Sequence, residues 1–152
     1  MYIAIVALTM VVLPICSIIL EHSLHPGVSI SSLVGQWFVF WGVGVRLGLA
    51  GLRQVMQPGF TAREIFKIAG EEAWPVVREL GFANISIAVI ALASAAMTTF
   101  VLPAAIAGGI FYAMAGFIHV MSQSRSRNEY IAMVSDFFMS AVLVIFVVAT
   151  LA

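Results

Sequence analysis

The side chains that could do chemistry are few and widely spaced. Arg46 stands inside "FVFWGVGVRLGLAGLRQ", a run that is otherwise apolar or glycine until Arg53 and Gln54. Glu79 and Asn84 open a later apolar run, His119 closes the next, and Glu129 and Asp136 lie at the start of the last. A guanidinium can hold an anion, and an imidazole beside a carboxylate can move protons near neutral pH. Nucleophile triads, phosphate-binding glycine loops and HExxH patterns are absent. His22 and His25 with Glu21 fall in one short turn far from His119, thin grounds for a metal, so no metal site is expected. The single cysteine, Cys16, has no partner for a disulfide and no CxxC or Cys/His spacing.

Composition says where these groups must sit. Of 152 residues, 62% are hydrophobic and only 9% charged, against about 25% charged in a soluble domain. Mean hydropathy is +1.11. That leaves too little polar surface for a water-soluble particle, and the chain reads as an all-α integral membrane protein of one domain. Zero net charge and no basic tail give nucleic acid nothing to bind. Five stretches approach the roughly 20 apolar residues a spanning helix needs: 2–20, 31–52, 80–100, 103–121 and 130–151. Helices are required because hydrocarbon leaves backbone groups no other partner outside a closed barrel. The first stretch lacks a basic start and a small-x-small cleavage pattern, so it is expected to be retained rather than removed as a signal peptide.

The longest connection contains Pro58-Gly59, then Thr61 and Glu64 in capping-box spacing, and predicts a short amphipathic helix over about 61–69. A helix lying along the membrane surface is the expectation, with a cap packed on the bundle end as the alternative. Arg53, Arg63, Lys67 and Arg78 flank or occupy this second loop, and Arg125 and Arg127 occupy the fourth. The first loop, the third loop and the C-terminus hold no Lys or Arg. Positive loops stay inside, which predicts a cytoplasmic N-terminus and an external C-terminus. Arg46, Glu79, Asn84, His119 and Asp136 then share the cytoplasmic leaflet.

Helical spacing supplies the facing. Gly35, Gly42, Arg46, Ala50, Arg53 and Gln57 form one stripe of the second span. Gly108, Tyr112, Ala115 and His119 form a stripe of the fourth, and Glu129, Met133, Asp136 and Ser140 one of the fifth. Small and polar residues mark helix seams in lipid. An unpaired Arg or Asp at mid-membrane costs ~3 kcal/mol, so Arg46 is expected to meet Glu79 or Asp136, with His119 on the other acid.

Four segments in order, "WFVFWGVGVRLGLAGLRQ", "RELGFANISI", "PAAIAGGIFYAMAGFIHV" and "RNEYIAMVSD", resemble an uncharacterised family of small bacterial membrane proteins. More distantly, Arg46 with "LGLAG", Glu79 opening the next helix and His119 closing the following one look DoxX-like. That resemblance implies a four-helix bundle of spans two to five, with the first span as an addition, in a bacterial inner membrane. It implies Arg46, Glu79, His119, Asn128, Glu129 and Asp136 as site residues. Some DoxX-like proteins take part in electron transfer to quinone, but the lone Cys16 departs from any dithiol chemistry.

The expected role is therefore non-enzymatic: a bundle that binds a quinone-like or lipid-like molecule, or an accessory subunit of a membrane complex or homo-oligomer. Against it stand pure scaffolding by a buried ionic network and a quinone-linked oxidoreductase using Arg46, His119 and Asp136. A transporter would need an inverted repeat, which the chain lacks.

Overall fold

The computed structural model of the chain describes residues 2–122 and 126–152. Arg125, one of the two basic residues placed in the fourth loop, lies outside them. Six helices carry the described residues, and no strand occurs among them. Five are long and apolar enough to cross a membrane: α1 (Tyr2–Leu24), α2 (Ile30–Met56), α4 (Trp74–Ala93), α5 (Val101–Met121) and α6 (Arg127–Leu151). The short α3 (Pro58–Glu64) lies between the second and third of these. Large apolar side chains such as Leu20, Val76 and Ile145 are more than 60% exposed. Such a coat fits acyl chains and not water; the chain is a multi-pass membrane protein.

Boundaries follow local chemistry. Met56 ends α2 because Pro58 cannot continue a helix, and the same proline begins α3 at its first turn. Thr61, expected to cap that helix, instead lies within it and is buried. The third span was expected over 80–100; Pro75 starts α4 earlier, and it ends at Ala93. There Ser94 turns its hydroxyl onto the Ala91 carbonyl at 2.6 Å, and Gln36 of α2 donates to the Ser94 carbonyl at 3.1 Å. Ser126 caps α6 in a reciprocal box with Glu129, the Ser-x-x-Glu signal that the sequence also offered at Thr61 and Glu64.

Two helices contain wide π-helical turns, Leu8–Val12 in α1 and Phe38–Val45 in α2, and these turns pack on each other. The Arg46 N–H reaches back to the carbonyls of Trp41 and Val43, passing over Gly42. Such turns insert a residue and rotate the remainder of the helix by about 100°. The stripe foreseen on α2 is consequently two faces. Gly35 and Gly42 receive Phe146 and Met139 of α6, whereas Arg46, Ala50, Arg53 and Gln54 turn to an interior chamber; Gln57 is exposed.

Helix α2 packs most extensively on α4, and α5 on α6. The α2–α4 seam closes at glycine: a Cβ on Gly51 would stand 2.7 Å from the Gly81 carbonyl oxygen and 2.8 Å from Ile85 Cγ1. On the other seam, Ser140 donates to the Gly109 carbonyl at 3.1 Å. Helix α1 is more than an appendage. Trp37 and Trp41 of α2 donate to Glu21 at 2.5 Å and Ser17 at 3.0 Å, and Val6 and Met10 enter the core. Gly51→Val should lower stability by about 1–3 kcal/mol through overpacking, read as a fall in thermal midpoint in detergent, whereas the same change at open Gly27 should leave it unmoved.

Candidate functional site

A chamber of about 430 Å³ lies between the α2–α4 and α5–α6 pairs, at the end of the bundle that carries Arg53, Arg63 and Lys67. Its walls are mostly apolar, and its polar groups come from all six helices. Helix α3 closes the end: Ala62 is fully buried, and Phe60, Thr61 and Phe66 face the chamber. The expected membrane-surface helix is thus a cap on the bundle. The Ser126 hydroxyl ties it to α6 through the Glu64 carbonyl at 3.4 Å.

Arg46 points inward, but not onto the acids expected for it. Its Nη2 donates to the Tyr2 hydroxyl of α1 at 3.2 Å, and its guanidinium carbon stands 5.6 Å from the Tyr2 ring centroid. A hydrogen bond to a charged group contributes about 1.5–3 kcal/mol and the ring face another ~0.5–2 kcal/mol. Those magnitudes match the ~3 kcal/mol cost of the charge in lipid, so no direct carboxylate contact is needed. Asp136 lines the same chamber. The ion pairs between described residues nevertheless belong to His119, whose Nδ1 lies 3.6 Å from Glu129 Oε1 and whose Nε2 lies 3.8 Å from Asp136 Oδ2. These contacts are ionic when the imidazole is protonated. All three residues are buried.

Glu79 is exposed and takes no part. The buried stripe of α4 is Val77, Gly81, Asn84, Ala88 and Ala91, and Glu79 lies two residues from Val77, about 200° round the helix. Asn128 is half-buried in the first turn of α6 and outside the chamber wall. Asn84 is in place, 2% exposed, with its amide donating to Gln54 Oε1 at 2.7 Å.

Gln54, Tyr112, Tyr2 and Arg53 line the chamber without having been expected as site residues. Gln54 follows Arg46 and Ala50 at four-residue steps, a signal the sequence held equally with Arg53. Tyr112 was placed on the α5 stripe without a partner; its hydroxyl donates to the Gly42 carbonyl at 2.5 Å, beside the wide turn of α2. Tyr2 had no signal, because its reach depends on how α1 docks. Arg53 stacks on Phe60 of the cap, 3.5 Å from guanidinium carbon to ring centroid.

These features define a class: a helical multi-pass membrane protein with a one-ended polar chamber. A family model described as "Family of unknown function (DUF6790)" matches residues 1–152, and the chain belongs to that family. No curated protein and no solved structure matches it.

Tyr112→Phe should remove the donor from the Gly42 carbonyl and cost about 1–3 kcal/mol without changing apolar packing. Thermal unfolding beside Phe111→Leu, a packing control on the neighbouring residue, checks this.

Proposed function

We propose that the protein binds an amphipathic small molecule, lipid-like or quinone-like, in this chamber. The observation that carries the reading is the chamber itself, with apolar walls and a few convergent polar groups, a form typical of ligand sites. Two buried polar atoms in it, Arg46 Nε and Asn84 Oδ1, have no hydrogen-bond partner. Buried polar groups are rarely left so, which marks this end of the bundle as polar beyond what packing alone requires. The distant resemblance to DoxX-like proteins, some of which take part in electron transfer to quinone, adds to this reading. The protein purified in mild detergent should release a lipid or quinone into organic extract, and Ala115→Phe, which fills the chamber wall, should abolish it. An extract from the unmodified protein that matches the detergent blank counts against the proposal.

A second reading, quinone-linked oxidoreduction with Arg46 holding the head group, is favoured by the His119–Asp136 pair on the chamber wall. It expects His119→Ala to retain ligand while losing quinone reduction. An accessory role in a membrane complex, or self-association, is compatible with either.

For placement, the reading is a bacterial inner membrane with the chamber end cytoplasmic, because Arg53, Arg63, Lys67, Arg78 and Arg127 gather there. In a Cys16→Ser background, Lys67→Cys should react with an impermeant thiol reagent only in inside-out vesicles, and Thr98→Cys only in right-side-out ones. The reverse pattern would invert the topology.

A further inference from the structure

The chamber has a charge and a doorway, and together these narrow the ligand. Two guanidiniums line it, Arg46 and Arg53, against one carboxylate, Asp136. The lining itself therefore carries an excess of one positive charge, and the second acid of this end, Glu129, stands behind the wall against His119 rather than against either arginine. Arg46 has no carboxylate within ion-pair distance among the described residues. Arg53 lies face-on against Phe60, an arrangement that leaves the N–H edge of the guanidinium for a ligand. The doorway is lateral. Leu49 of α2 and Met114 and Ile118 of α5 line the chamber and are 47%, 66% and 59% exposed. Helix α3 covers the polar end, so the side open through these residues is the one that faces acyl chains.

We propose that the chamber takes an amphiphile with an anionic oxygen head group, admitted sideways from the bilayer past Leu49 and Met114. This rests on the amphiphile-binding reading above and makes it specific. At about 430 Å³, the chamber has room for a head group and the first part of a chain, and its open side lets the remainder lie outside. The head sits against Arg46 and Arg53, and the tail leads out along the apolar wall.

The test is native mass spectrometry of the full chain titrated with three probes of one tail length: laurate, dodecyl phosphate and dodecanol. Both anions should form one-to-one adducts about tenfold or more tighter than the neutral alcohol, the loss expected for a bond to a charged group. A preference for dodecyl phosphate over laurate assigns the head as phosphate, and the opposite preference assigns carboxylate. Arg46→Gln should erase the advantage of the anions and leave dodecanol within about twofold, since only the charged contact is lost. Should Arg46→Gln fail to fold, Arg53→Gln, nearer the chamber's edge, carries the same expectation. Dodecanol binding as tightly as the anions, or an undiminished anion preference in folded arginine variants, overturns this inference while leaving amphiphile binding intact. No adduct with any probe overturns both.

Discussion

A permanent positive charge inside an apolar helix has to be accommodated somewhere, and in this protein that requirement organises one half of the bundle. Arg46 cannot lose its proton as a buried lysine can, so the chain supplies an aromatic hydroxyl and ring from α1 at Tyr2. The acids expected to pair with it serve elsewhere. Glu129 caps α6 and, with Asp136, brackets His119. The charge of Arg46 consequently remains available to the chamber it faces.

Backbone irregularity makes this possible. A regular α2 would carry the Gly35 and Gly42 face straight on to Arg46 and direct the guanidinium toward α6. The wide turn at Phe38–Val45 instead separates a tightly packed half from an open half. Glycines seal the closed portions, with Phe146 over Gly35, Met139 over Gly42 and the backbones of α2 and α4 meeting at Gly51 and Gly81. Bulges of this kind frequently accompany functional sites. Here the bulge lies beside the chamber, and Tyr112 bonds to a carbonyl within it.

Much of this was legible in the sequence. Hydropathy located five spans, and charge spacing collected Arg46, Asn84, His119 and Asp136 at one end, because both signals are local and periodic. The stripes on α5 and α6 survive intact, for those helices are regular. Facing failed on α2, where the inserted residue breaks the 3.6 repeat, and on Glu79, which lies about 200° round α4 from the buried Val77. The partner of Arg46 was illegible because Tyr2 sits 44 residues away and reaches it only through the docking of α1. A short segment with both polar and apolar residues reads alike as a membrane-surface helix or a lid; burial of Thr61 and Ala62 makes α3 a lid.

The most direct measurement is a double-mutant cycle on Tyr2→Phe and Arg46→Gln, with stability followed in bicelles. A hydroxyl that holds the guanidinium inside the bundle predicts a coupling of about 1 kcal/mol or more between the two changes. Effects that simply add, within about 0.3 kcal/mol, would mean that Arg46 is held by something else, and the inward-facing charge on which the chamber depends would lose its support.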